Sequence, residues 1–372
     1  MVRNTRSRLL QRVPSGVQHY GLAEVRRRRA VEAALTASLR GWSYEEVILP
    51  ILDYEEVFRR SVGNRSNGRM YRLIDPEGHV VGVRPDLTPL VAKLVATGLR
   101  GERLPIRVFY SGEVVRPQGP KTLGQGEFHQ IGFEQVGGDS SPADLEIAVV
   151  ALEALRAAGL ISARMMLGHS GILPALVRKA GLRPETTSEV ERSIDRHRHQ
   201  GLEAALSRGC VATPLKRVFR ALMRRTRRPQ DLAALGKQAG STVERCLLEL
   251  RRLWEDLQDL GYGDQVGVDL AEVGGFGYYT GVRFRVYANG VGFAVGGGGR
   301  YDKLLEHFGS AQPAVGFSFG LDRLLRALEA TGVTPATASV PARAVQSPGH
   351  SRVGALQQAL DLRRRGKRVR LC

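Results

Sequence analysis

The chain has 372 residues, 42% apolar and 25% charged, the make-up of a soluble globular protein long enough for two or three domains with a buried core. Lys and Arg number 55 against 37 acidic residues, a formal charge of +18 that permits a polyanionic partner. Clusters such as Arg26 to Arg29, however, carry neither interleaved aromatics nor a nucleic-acid motif, and solvated helix faces account for them. No apolar run approaches the ~20 residues of a membrane helix. The basic start, MVRNTRSRLLQRVPSG, lacks the apolar core of a signal peptide and reads as a disordered lead over 1–15. Cys210, Cys246 and Cys372 have no CxxC or zinc spacing and fit a reducing cytoplasm.

In chain order, Val31, Leu35, Leu39 and Trp42 form an apolar stripe that predicts a helix from Val25 to Trp42, closed by Gly41. Glu45 to Pro50 reads as extended. Tyr71–Ile74 and Val80–Val83 flank the turn residues Asp75-Pro76-Glu77-Gly78, a hairpin. After Arg84-Pro85-Asp86-Leu87-Thr88, Pro89 opens a helix, where its missing N–H is harmless. Alternation predicts strands from Ile106 to about Arg116 and from Phe128 to Val136, joined by a Pro- and Gly-rich mobile loop, Pro117–Gly126. In the second strand Gln130, Gly132 and Glu134 share one face and Ile131 and Phe133 the other. Ser141 is expected to cap a helix that ends at Gly159, and Met165–Gly168 is a further strand. Residues 184–261 read as a helical insertion between the sheet-forming parts 16–183 and 262–331; 332–350 is a linker by composition, and 351–372 holds a short helix (Val353, Leu356, Leu360) and a terminal strand.

Near the end of the sheet-forming part lies the most patterned stretch, Val273 to Asp302. Val282, Phe284 and Val286 alternate with Arg283 and Arg285, and Asn289-Gly290 is the signature of a type I′ hairpin turn. A second strand through Val291, Phe293 and Val295 runs into Gly296–Gly299 and Arg300-Tyr301-Asp302, so that Gly298, Gly299 and Arg300 form a floor that a small polar ligand can approach. An ordinary core hairpin with a glycine bend is the other reading of the same pattern. Ala314–Gly320 is one more strand, and a helix with Asp322 and Arg323 follows. The total is α+β: a mainly antiparallel sheet with flanking helices.

Asp86, Thr88, Arg116, Gln130, Glu134, Tyr278 and Tyr279 all lie on or beside these strands. Two carboxylates, one guanidinium, neutral hydrogen-bonding groups and two phenols suit a zwitterionic amino acid, whose ammonium wants an acidic oxygen and whose carboxylate wants an arginine. Taken singly, each is as well explained as a surface or structural group. There is no P-loop and no dinucleotide fingerprint, and His129 and His169 have no partner at metal spacing.

RPDLT (84–88), the strand and loop at Arg116, FHQIGFE (128–134), GYYTG (277–281), GGRYD (298–302) and AVGFSFGLDRL (314–324), in this order from about Gly16 to Leu325, resemble the catalytic core of histidyl-tRNA synthetase, a class II aminoacyl-tRNA synthetase fold. The resemblance implies a histidine pocket: Asp86, Leu87, Thr88 and Gln130 around the α-amino group, Arg116 near the carboxylate, and Glu134 and Tyr278 for the imidazole with Tyr279 beside them. Departures accompany it. Gly274 and Gly277 stand where that family has Arg and Asp, Gly126 where its loop supplies an ATP-binding arginine, Gln118 where it has Glu, and Asp86 where it typically has Glu. Loss of phosphate-clamping arginines is worth roughly 10³–10⁵ in rate, and 341–372 resembles only a stump of the anticodon-binding domain. Arg323, the motif 3 arginine, is retained. The pattern is therefore similar to the regulatory paralogues of the family, the non-catalytic subunits of short-form ATP phosphoribosyltransferase. That implies a histidine-binding regulator with no catalytic residue, no metal and no cofactor. It would self-associate through its core and join a catalytic subunit in a hetero-octamer, with no tRNA or membrane partner. A divergent active synthetase is the alternative, and an amino-acid-binding regulator of another partner the third.

Overall fold

A computed structural model describes residues 12–62, 70–116, 126–223, 225–226, 230–271, 277–335, 343–345 and 352–371. Most of the expected disordered lead, the loop at 117–125 with Gln118, position Gly274 and most of the 332–350 linker lie outside them.

One nine-stranded sheet dominates residues up to 335. Its strands, in spatial order, are β1 (Glu45–Glu46), β5 (Ile106–Val115), β6 (Glu127–Val136), β12 (Ala314–Gly320), β11 (Ala294–Arg300), β10 (Val282–Tyr287), β7 (Arg164–His169), β9 (Val266–Asp269) and β8 (Arg225–Thr226). Pairing is antiparallel except β1 with β5 and β7 with β9. A three-stranded sheet, β2 (Leu52–Tyr54), β4 (Val80–Val83) and β3 (Arg72–Ile74), contains the expected hairpin.

Strand alternation gives the large sheet its two faces. Ile131 and Phe133 of β6, Val282, Phe284 and Val286 of β10, and Val315, Phe317 and Phe319 of β12 enter a single apolar core. Helix α1 (Leu22–Gly41), through Val31, Leu35 and Leu39, and α4 (Ser140–Ala157) cover that face. Trp42 departs from the stripe. It sits one residue past the helix and is exposed, because the chain turns there through Ser43 at φ 63. Ser141 does not cap α4: the helix begins at Ser140, and Asp139 holds the N-cap position without a side-chain bond.

The helical stretch 184–261 contains α6 (Pro184–Asp195), α7 (His199–Arg208), α8 (Thr213–Leu222), α9 (Gln230–Ala239) and α10 (Ser241–Asp259). Val190, Phe219 and Leu250 from these helices enter the same apolar core as the sheet. The stretch also donates β8 to the sheet edge beside β9.

The Asn289-Gly290 turn differs from its expectation. Among the described residues the non-glycine positions with positive φ are Ser43, His197 and Cys210, so Asn289 is not left-handed and a type I′ turn is not formed. The loop spans Ala288–Phe293, with Gly290 at φ 81. The second strand accordingly starts at Ala294, and Gly296–Gly299 lie inside β11, between β10 and β12, not at its exit.

Residues 336–372 form a separate unit. In it β13 (Arg343–Val345), inside the stretch expected to be linker, pairs in parallel with β14 (Val369–Leu371). Helix α12 (Arg352–Arg364) buries Ala355 and Ala359, while Val353, Leu356 and Leu360, the expected apolar stripe, are exposed. Among the described residues no helix is long and apolar enough to cross a membrane.

Candidate functional site

A cleft of about 500 Å³ opens on the face of the large sheet opposite the apolar core, and Asp86, Thr88, Arg116, Gln130, Glu134, Tyr278 and Tyr279 all line it. The register explains the convergence. Glu134 of β6 pairs with Gly316 of β12, which pairs with Gly299 of β11, which pairs with Arg283 of β10. Side chains of one row share a face, so two glycines pave the floor between an acid and an arginine.

Glu134 is the most deeply held of these groups. Thr88 Oγ1 donates to its Oε1 at 2.9 Å, Tyr110 Oη to the same oxygen at 3.2 Å and Tyr301 Oη to Oε2 at 2.7 Å. Burial raises its pKa to about 8, against the three hydroxyl bonds, which favour the carboxylate. Asp86 follows β4 and stands one residue before Leu87, the N-cap of α3 (Thr88–Thr97). It accepts bonds from Tyr278 Oη at 2.9 Å, from the Leu87 N–H at 3.0 Å and from Gln130 Nε2 at 3.4 Å. Burial also pushes its pKa up, opposed by Arg116, whose Nη2 lies 3.9 Å from Oδ1. Arg116 is anchored by its Nε to the Pro85 carbonyl at 2.6 Å and lies over the Phe128 ring. Gln130 Oε1 is buried with no hydrogen-bond partner. Beside two acids, an unmet acceptor on this wall calls for a donor from a ligand, and an ammonium supplies three.

Some expected positions fall elsewhere. Leu87 does not face the cleft; its side chain is buried in a second apolar cluster with Leu90 and Val91, and its part is the N–H that fixes Asp86. Arg300 is not floor either. It follows Gly299 in β11 and so points to the opposite face, where it binds Asp144 through Nε at 3.0 Å and Nη2 at 2.7 Å, and Asp302 through Nη1 at 3.0 Å. Gly298 shares Arg300's parity and lines the cleft through its backbone. Within the cleft Thr88 bonds Glu134, and Tyr278 bonds Asp86.

Sequence reasoning missed Tyr110 and Tyr301 as supports of Glu134, and Arg283 and Arg285 as cleft residues. The alternation along β10 carried a signal for the arginines, since it put both opposite the apolar face. Tyr110 had none before the register was known. It pairs with Gly132, and its phenol fills the space where a Cβ on Gly132 would lie 2.3 Å from the hydroxyl.

The family profile described as histidyl-tRNA synthetase matches residues 16–324. The chain is 34% identical to an ATP phosphoribosyltransferase regulatory subunit of Moorella thermoacetica, covering 98% of this chain and 92% of that protein. The chain belongs to the ATP phosphoribosyltransferase regulatory-subunit family, built on the histidyl-tRNA synthetase fold. A regulatory subunit of this name from Bacillus licheniformis is 33% identical over 92% of this chain and 86% of its own length. A crystal structure from Bacillus halodurans, described as an ATP phosphoribosyltransferase regulatory subunit/histidyl-tRNA synthetase, superposes with a TM-score of 0.84 at 27% identity, covering 97% of this chain and 92% of that one. A histidyl-tRNA synthetase from Nostoc, at 19% identity, TM-score 0.77 and coverage of 97% and 85%, shares the fold.

Proposed function

We propose that the chain binds L-histidine in this cleft and, as a non-catalytic regulatory subunit in the first step of histidine biosynthesis, activates a short-form catalytic subunit and confers feedback control on it. The observation that carries the reading is the set of buried acceptors, Asp86, Glu134 and the unmet Gln130 Oε1, on the same wall as Arg116. An ammonium fits Asp86 and Gln130, a carboxylate fits Arg116, and an imidazole N–H fits the Glu134 side of the pocket. Control of the partner is allosteric, so histidine must bind two states of the assembly with different affinity. Calorimetry with L-histidine tests the pocket: wild type binds, and Glu134→Ala or Arg116→Ala abolishes binding while the fold persists. Unchanged affinity in both variants would make the pocket vestigial. Co-expression with a short-form catalytic subunit tests the role, and a phosphoribosyltransferase rate that ignores this chain would sink it.

Assembly belongs to the same proposal: self-association through the core, within a hetero-octamer. Exposed Ile48, Ile51, Leu52, Leu73 and Ile74, clustered in sequence around β2 and β3, support an apolar contact between copies. Sedimentation of Ile48→Asp/Ile74→Asp against wild type checks it; identical monomers would refute it.

Arg323 favours a second reading, a divergent active synthetase, because it lines the cleft. It also has a structural task, bonding the Ala294 carbonyl at 3.2 Å over the Phe293 ring. Histidine-dependent ATP–pyrophosphate exchange separates the two readings, and robust exchange would favour the synthetase.

A further inference from the structure

A second cavity, of about 380 Å³, is walled by α1 and α11 (Leu321–Ala330), and no residue that lines it lines the cleft. One face of each helix forms a wall. Glu24, Arg27 and Arg28 of α1 stand at i, i+3 and i+4, and Asp322, Leu325, Arg326 and Glu329 of α11 at i, i+3, i+4 and i+7. The two helices are pinned at one pair: Arg28 Nη1 binds Asp322 Oδ1, and Tyr20 Oη donates to the same oxygen at 2.9 Å. The other Asp322 oxygen accepts the His129 N–H of β6 at 3.2 Å. Asp322 is buried with both oxygens engaged by the protein itself, so this pair is fixed wall.

The other four charges differ. Glu24, Arg27, Arg326 and Glu329 line the same cavity, yet among the described residues their side chains make no hydrogen bond or ion pair. Each face carries a Glu and an Arg three residues apart, a spacing at which such pairs form, and neither pair closes. One unpaired surface charge needs no explanation. Two of each sign around one cavity set the chemistry of its ligand. A simple anion meets the two carboxylates, a simple cation meets the two guanidiniums, and an apolar body strips water from all four. A ligand that carries both signs satisfies both kinds of group. Leu325, Val333 and Pro335 supply apolar surface for its body.

We infer that this cavity is a second binding site and that it takes a free α-amino acid, its carboxylate on Arg27 and Arg326 and its ammonium on Glu24 and Glu329. The arginine fork matches a carboxylate, and an ammonium has three donors for the two acids. The size agrees, since about 380 Å³ lies near the lower end of the range for small-molecule pockets. The inference goes beyond the histidine reading of the cleft and shares no ligand-binding residue with it.

Titration calorimetry on the full chain with each protein amino acid in turn tests it, in wild type and in Glu134→Ala, which disables the cleft. At least one amino acid is expected to bind saturably to both chains. Arg27→Gln and Arg326→Gln, each added to Glu134→Ala, should weaken that binding roughly tenfold or more, the worth of one charge-assisted bond. Both arginines are exposed, so neither change threatens the fold. The carboxamide of the same amino acid, which lacks the anion, and its N-acetyl derivative, which lacks the cation, should each lose as much. Should Glu134→Ala fail to fold, Arg116→Ala disables the cleft in its place. No saturable binding once the cleft is disabled, binding unchanged by the arginine substitutions, or a carboxamide that binds as tightly as the free acid overturns the site. Failure of histidine to bind the cleft shows in wild type alone and leaves these outcomes as they are.

Discussion

Gly316 and Glu134 face each other across β12 and β6 with no room for a methyl group: a Cβ on Gly316 would lie 1.5 Å from Glu134 Oε2. Glu134 therefore stands over a bare backbone, clamped from the other sides by Thr88, Tyr110 and Tyr301. Gly316→Ala must expel the carboxyl from its three hydroxyl partners. We predict destabilisation of about 1–3 kcal/mol, the scale of overpacking a filled site, and loss of histidine binding. Chemical denaturation and calorimetry measure the two effects, and intact binding in a folded Gly316→Ala variant would show that the carboxyl can work from elsewhere.

The second prediction concerns pH. With its pKa raised to about 8 by burial, Glu134 is mainly protonated in the empty pocket at neutral pH. A ligand N–H that needs the carboxylate stabilises the ionised form, so binding expels a proton. Histidine affinity should therefore rise as pH increases from about 6 to about 8. Calorimetry at neutral pH in buffers of different ionisation enthalpy should show net proton release. The stability sign is opposite. A folded pKa above the unfolded value of about 4.5 favours folding at low pH, and that contribution is lost as pH climbs through about 8.

Much of this architecture was readable from local pattern. The alternation of Ile131 and Phe133 against Gln130 and Glu134, and of Val282, Phe284 and Val286 against Arg283 and Arg285, fixed the faces of β6 and β10 because a strand has period two and one of its faces is buried. Chain order alone could not supply register. Thr88 meets Glu134 and Tyr278 meets Asp86 because of how α3 and the segment before β10 come over the sheet, 46 and 192 residues apart in sequence. Parity explains Arg300: the glycine run was read as a floor, yet alternate residues of β11 face the helix side, where Arg300 belongs to an ion pair. Asn289-Gly290 misled because the strands close on a six-residue loop, Ala288–Phe293, in which one positive φ suffices.

A third prediction rests on His129, between Glu113 and Glu32. Its Nδ1 lies 2.9 Å from Glu113 Oε1 and its Nε2 3.4 Å from Glu32 Oε1, joining α1 to β5 and β6. Burial works against the charged ring, and the two carboxylates outweigh it, so its pKa is raised. Glu32 and Glu113 are both lowered to about 2, first by their bonds to His129. The carboxylate contribution is present above about 4.5 and is lost as pH falls toward about 2. The histidine contribution is complete below about 6.5 and is lost as pH rises through its higher folded value. The stability gap between wild type and His129→Gln should be widest near pH 5.5 (about one unit from either edge) and should narrow in alkali. Urea denaturation across pH reads it, and a gap independent of pH would remove the charge pairing from the account.

The final prediction concerns the far face of β11. Arg300 is buried and makes four bonds to two acids, while burial raises the Asp144 pKa to about 6 even with the guanidinium in place. Arg300 Nη2 also donates to the Ser140 carbonyl at 2.8 Å, tying β11 to the first turn of α4. Arg300→Ala leaves Asp144 buried without its cation and is expected to cost about 3–5 kcal/mol, the range for breaking one side of a buried pair. Arg300→Ala/Asp144→Ala should recover part of that loss, because the stranded acid is gone. Neither change touches the cleft, so histidine affinity measured below the unfolding transition should stay at the wild-type value. A large loss of affinity in a folded Arg300→Ala chain would return Arg300 to the ligand side of the strand.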